Sequence, residues 1–286
     1  MNSFFSILKQ HLFFNTFLCI LIILSSCKKE DYIEPTKSNT ITNETARKPA
    51  PIFLTSKFSI CNSGTYTNSP VGGGSGYTDI VSKSSCNVII TSALQFKTVL
   101  DSILPNNTTL TKIWIENVID LFSVYSSFPI VLPSNIWLVG ARGSLGSSGA
   151  KISYPYHTGS FAFYITKDNV RITGLRLEGP YGGSGGQSTT DRGIIIKNNS
   201  DHINIDNCEL YNWTKAAIEV NQSNITNIAN MSLDINIHHN YIHNNNTASF
   251  GYGVVIKRGW ANISKNKFES NRHDIAGDGD LLSGYE

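Results

Sequence analysis

The sequence predicts an all-β solenoid of stacked parallel strands, headed by one α-helix, on three observations. A phrase of short strands in fixed order is repeated, the intervening residues carry weaker copies of it, and one amphipathic helical segment precedes them all. Gly193-Ile194-Ile195-Ile196-Lys197, followed by Ile203-Asn204-Ile205 and Cys208-Glu209-Leu210, returns as Gly253-Val254-Val255-Ile256-Lys257, Asn262-Ile263-Ser264 and Asn266-Lys267-Phe268. Between them lie Ala217-Ile218-Glu219-Val220-Asn221, Asp234-Ile235-Asn236-Ile237 and Asn240-Tyr241-Ile242, and before them Ala162-Phe163-Tyr164-Ile165-Thr166, Val170-Arg171-Ile172 and Leu175-Arg176-Leu177. First strands near 162, 193, 217 and 253 are about 31, 24 and 36 residues apart, inside the range of roughly 20 to 50 for stacked coils.

The helix is expected over about 92–104. Thr91-Ser92 offers an N-cap, Gln95 stands three after Ser92, Phe96, Val99, Leu100, Ile103 and Leu104 keep a helical period, and Pro105 stops it. A solenoid needs its first coil covered, which gives this helix the role of a cap. Coils are expected over about 113–286, opening with Ile113-Trp114-Ile115 and the pair of strands in Pro129–Gly140. Alternation turns Phe163, Ile165, Ile194, Ile196, Ile218, Val220, Val254 and Ile256 inward, and Tyr164, Ile195, Glu219 and Val255 outward. Leu175, Cys208, Asn240 and Asn266 hold one corner position, where stacked amides can bond along the axis. Arg272-His273-Asp274-Ile275-Ala276 opens a further coil that is incomplete at Glu286, so the sequence is expected to be a piece of a longer protein.

The net charge of +2 gives no field from which to expect a nucleic-acid partner. Residues 1–27 read as a secretory segment, with Lys9 before an apolar run from Phe13 to Leu24 that is too short to span a membrane as a mature helix. Residues 28–56 are polar, with Pro35, Pro49 and Pro51, and read as a tether, leaving 57–286 as the folded domain. Cys61 and Cys86 bracket the Gly72–Gly76 loop and are either a disulfide or two thiols.

Leu24-Ser25-Ser26-Cys27 resembles the lipobox of bacterial lipoproteins, which implies a lipidated Cys27, and Lys28-Lys29-Glu30-Asp31 resembles the stretch that exports some Bacteroidetes lipoproteins to the cell surface. Membrane association would then be by a lipid anchor at the outer membrane.

Residues 91–286 resemble the right-handed single-stranded parallel β-helix proteins of the pectate-lyase-like superfamily. That resemblance implies an acidic polysaccharide lying along one sheet, a Lys or Arg base and carboxylates that bind calcium. The groove column would run Tyr164, Ile195, Glu219, Val255 and Asp274, beside Thr166, Lys197, Asn221 and Lys257 at the strand ends. Lys197, Lys257, Arg272 and Glu219 are the catalytic candidates, Tyr164, Arg258, Trp260 and His273 the substrate-binding ones, and Asp274, Asp278 and Asp280 the calcium candidates. A lysine serves as base only where burial or a neighbouring cation lowers its pKa. Strand spacing puts Lys197 and Lys257 roughly 10 Å apart with Glu219 between, a geometry that equally describes a surface charge ladder. Alternation turns His273 inward if Ile275 is inward. Two functions stay open: a polysaccharide-binding protein, catalytic as a lyase or glycoside hydrolase, and a non-catalytic structural or adhesive solenoid.

Overall fold

The computed structural model describes residues 69–180, 190–197, 200–223, 225–227, 231–232 and 234–286. Cys27, the tether and Cys61 lie outside them. Among the described residues no helix is long and apolar enough to cross a membrane.

Among the described residues β1 (Val88–Ile90) and α1 (Ala93–Ser102) precede six three-stranded coils. These are β2 (Thr111–Ile115), β3 (Ile119–Asp120) and β4 (Ile130–Leu132); β5 (Ile136–Val139), β6 (Lys151–Ser153) and β7 (Phe161–Ile165); and β8 (Val170–Thr173), β9 (Arg176–Glu178) and β10 (Arg192–Ile196). The next are β11 (Ile203–Asp206), β12 (Glu209–Tyr211) and β13 (Ala216–Asn221), then β14 (Ile235–His238), β15 (Tyr241–His243) and β16 (Tyr252–Lys257). The last comprises β17 (Trp260–Ser264), β18 (Lys267–Glu269) and β19 (His273–Gly277), and β20 (Gly284–Tyr285) follows it. The first strand of every coil joins one sheet, the second another and the third a third, with parallel pairing throughout. The fold is a parallel β-solenoid with three sheets.

The inward positions explain the stacking. Phe163, Ile194, Ile218 and Val254 are partners in register, as are Ile165, Ile196, Val220 and Ile256, and all are fully buried. Each side chain rests on its equivalent one strand away, and burying each contributes about 1.5 to 3 kcal/mol. α1 is two residues shorter at its C-terminal end than its apolar period suggests. It is capped as expected: Ser92 Oγ accepts from Gln95 N at 3.3 Å, and Gln95 Oε1 accepts from Thr91 N at 2.8 Å. Phe96 and Leu100 are buried, and Phe96 meets Phe163 edge to face at 6.4 Å.

The corner ladder forms on the residues that suggest it. Asn240 Oδ1 accepts from Cys208 N and Asn266 Oδ1 from Asn240 N, both at 2.9 Å. A second ladder, not expected, stacks Trp213 N on Asn245 Oδ1 at 2.8 Å and Asn245 N on Asn271 Oδ1 at 3.3 Å. These amides satisfy backbone groups that the turns leave without sheet partners.

Residues 69–82 run outside the first sheet. Gly72 N donates to Lys265 O at 2.9 Å, Gly74 N to Asn207 Oδ1 at 2.7 Å, and Tyr77 OH to Asp206 Oδ2 at 2.9 Å. Gly73, at φ +65°, lies so close to the coil that a Cβ would stand 2.3 Å from His239 O, which makes glycine obligatory there.

Candidate functional site

The outer face of the third sheet carries the densest charge constellation on the expected groove. Glu219 lies between Ile195 and Val255 in register and points outward, yet is only 1 % exposed. Its Oε2 pairs with Arg192 Nε at 2.7 Å, and its Oε1 with Lys257 Nζ at 3.4 Å and with Asn221 Nδ2 at 2.8 Å. Lys197 Nζ donates to Asn221 Oδ1 at 3.1 Å. Burial alone would raise the Glu219 carboxyl, but Arg192, the Asn221 hydrogen bond and Lys257 hold it below its ordinary range.

Lys215, just before β13, is pushed down to about 8 by burial and then by the positive charges of Arg192 and Lys257, with Glu219 only partly offsetting them. Its Nζ stands 5.5 Å from the centre of the Phe250 ring. Lys197 is lowered too, first by burial and then by Lys257, against the pull of Glu219. Four cations thus stand around one buried carboxylate, and burial among them favours the neutral form of the Lys215 amine.

A histidine–carboxylate pair adjoins this cluster. His157 Nδ1 lies 3.1 Å from Oδ2 of the buried Asp191, and Asp191 Oδ1 accepts from the N–H groups of Thr158 and Gly159 at 2.9 and 2.7 Å. Lys215 N donates to Asp191 O at 2.9 Å, which puts the two residues on neighbouring coils.

Of the sequence candidates, Lys197, Glu219 and Lys257 come together and Tyr164 lies on the same face, in register with Ile195. The fifth place of the groove column belongs to Ala276 and not to Asp274, because Val254 pairs with Ile275 and Val255 with Ala276. His273 is exposed, contrary to the alternation, and stacks on Tyr252 at 5.4 Å. The reason is a break of phase at the strand start: Ala162 and Phe163, and Ala217 and Ile218, are consecutive yet both in the core, so strict alternation does not extend to the residue before each pair.

The remaining candidates are engaged elsewhere. Arg258 binds Asp280 at 2.8 Å at the following corner, Trp260 begins a strand of the first sheet, and the Arg272 guanidinium donates to the Ser249 carbonyl. The carboxylates expected to bind calcium have protein partners. Asp280 is neutralised by Arg258, Asp274 accepts from Asn271 at 3.1 Å, Asp278 Oδ1 accepts from Asp280 N at 3.0 Å, and no group of three or more metal-binding side chains occurs among the described residues.

Arg192, Lys215, His157 and Asp191 escape the sequence reading. They precede or open strands, where alternation has no purchase. The signal that marks the phase break is a small residue, Ala162, Gly193, Ala217 or Gly253, second in four of the six strands of the third sheet. In two of these strands the close approach calls for glycine: a Cβ on Gly193 would lie 2.5 Å from Ala217 O, and one on Gly253 2.6 Å from Asp274 O.

No protein-family model matches the chain, and neither the curated proteins nor the solved structures contain a match to it.

Proposed function

We propose that the outer face of the third sheet binds an acidic polysaccharide and cleaves it by β-elimination, with Lys215 as the base. The observation that carries this reading is Lys215 set near Arg192 and Lys257 beside a buried Glu219, since burial first and then the neighbouring cations favour the neutral amine. Lys197 and Lys257 offset the uronate carboxylate, which acidifies the adjacent C5–H. The Lys215 amine takes that proton, the C–H electrons form the C4=C5 bond, the C4–O bond breaks, and the departing oxygen takes a proton from water. Glu219 keeps the cations in place and touches no reacting atom.

Two finer readings accompany it. The coils wind right-handedly with α1 as their N-terminal cap, supported by the strong preference of parallel crossovers for that hand and by Phe96 and Leu100 reaching the core. Cys27 carries the lipid that anchors the protein at the outer membrane or cell surface, supported by Leu24-Ser25-Ser26-Cys27. A Cys27→Ser protein that stays with the membrane fraction contradicts the anchor.

The test is a panel of uronate polymers incubated with the protein and read by the ultraviolet absorbance of unsaturated chain ends. Absorbance that grows with wild type and not with Lys215→Met supports elimination. A second reading, binding without cleavage, is favoured by the complete engagement of Glu219, and it predicts retention of the polymer with no new absorbance.

A further inference from the structure

A cavity of about 330 Å³ opens where the first and second sheets meet, over the first three coils. Its walls are the end of β2 with Glu116, Asn117 and Val118 on one side, the Ala141–Ala150 loop and Lys151 on the other, and Arg176. The loop creates it: the chain takes 11 residues, 140–150, to pass from β5 to β6, but only two, Gly174 and Leu175, to pass from β8 to β9. None of its lining belongs to the third sheet, so it is a separate site.

The chemistry of the walls is mixed. Trp114 gives its indole N–H to Glu116 Oε2 at 2.6 Å, which leaves the ring as an apolar wall. Glu116 Oε2 is also matched by Lys83 at 2.7 Å, and Lys151 by Glu178 at 2.6 Å. Asn117 donates its amide N–H to Thr91 O at 3.0 Å, leaving its amide oxygen to accept. Arg176 differs from the other charges. It gives Nε to a neutral acceptor, Gly149 O, at 3.0 Å, and its register neighbour Glu209 is itself engaged by His243 at 2.9 Å.

We infer that this cavity binds one hexuronate unit, its carboxylate on the Arg176 guanidinium, its hydroxyls on Glu116, Asn117 and Ser147, and its C–H face against Trp114 and Val118. The volume lies at the lower end of small-ligand pockets, about 300 to 1,000 Å³, and suits a sugar unit in place of a long chain. An arginine fork is the group best shaped for a carboxylate. Acetate or inorganic phosphate would use the fork and leave the apolar wall and the hydroxyl acceptors unused. A neutral hexose would do the reverse.

The experiment is calorimetric titration of the full chain with galacturonate and glucuronate, with galactose, acetate and inorganic phosphate as comparisons. One of the two uronates binds with Kd on the order of 1 mM, and galactose, acetate and phosphate each bind about 10-fold more weakly or not at all. Arg176→Gln lowers the uronate affinity by about 10-fold or more. Ser147→Tyr, at an exposed loop position whose hydroxyl accepts from Gly149 N at 3.1 Å, does the same by filling the space, with the thermal unfolding of the variant measured alongside. Lys215→Met leaves the affinity unchanged. The inference is overturned if neither uronate binds, if the comparison ligands bind as well, or if both cavity variants bind normally. Loss of binding in Lys215→Met overturns it as well, by placing the uronate on the third sheet. Absence of polymer cleavage by the wild type bears on the third sheet alone and leaves this result intact.

Discussion

Two outer faces of this solenoid carry the same device, an arginine bound to a buried carboxylate, and put it to opposite ends. On the first sheet Arg171 meets the fully buried Asp206 at 2.8 Å. On the third, Arg192 meets Glu219 at 2.7 Å. Around Asp206 the surroundings close the pair: Asp79 also binds Arg171 at 2.6 Å, Thr173 and Tyr77 donate to Asp206, and residues 69–82 lie over the top. Around Glu219 cations are in excess, and the side chains of Lys257 and Arg192 remain 31 % and 14 % exposed. A covered network with its one cation fully matched holds coils together, whereas on the proposed function the over-cationic open one gives up folding stability to favour a neutral lysine and an incoming anion.

The largest expected effect separates the two faces by activity. Lys215→Met should lower the rate of uronate-polymer cleavage about 10²- to 10⁴-fold, the usual share of a general base, while thermal unfolding at neutral pH is not lowered, because the substitution removes a cation from a cluster that has too many. The mirror change is Arg171→Ala. It leaves Asp206 buried and unpaired, so the expected loss is about 3 to 5 kcal/mol of stability, measured by denaturant unfolding. Equal destabilisation by Arg171→Ala and Lys215→Met would erase the distinction. Tyr77→Phe, which removes one hydrogen bond to the buried carboxylate, should cost about 1.5 to 3 kcal/mol in the same measurement.

Smaller effects come from pH, and the two faces contribute with the same sign in different windows. Burial, and then His238, holds His239 down to about 4 from 6.5. Between those values the unfolded chain binds more protons than the fold, so stability rises with pH there and is lost on acidification toward 4. Lys215 is likewise lowered, to about 8 from 10.5, so its contribution rises between pH 8 and 10.5. Denaturant unfolding followed across pH should show both slopes, and Lys215→Met should abolish only the alkaline one.

The architecture was legible in the sequence because a β-solenoid writes its core twice over, as alternation within a strand and as the same residue one coil later. Ile194, Ile218 and Val254 could be aligned by eye, and Asn240 and Asn266 revealed the corner ladder for the same reason. The third-sheet cluster was half legible. Glu219, Lys197 and Lys257 sit where alternation holds, so their grouping followed from spacing alone. Arg192 and Lys215 sit where two successive residues face the core, and His273 was assigned to the wrong side by the same break in phase. Asp274 was displaced by two residues because outward parity recurs every second position, whereas only the pairing of Val254 with Ile275 fixes the step. The network on the first sheet had no local signal at all, since Tyr77 and Asp79 reach Asp206 and Arg171 across more than 90 positions of sequence.

The central claim is that Lys215 is a poised amine on a glycan-binding face, and a site-resolved titration of the lysine ammonium groups by nuclear magnetic resonance tests it most directly. One resonance, absent from Lys215→Met, should titrate near 8 and shift when an oligouronate is added. If every lysine titrates near 10.5, or the Lys215 resonance ignores the oligouronate, the third sheet is a charge ladder and the account of its function fails.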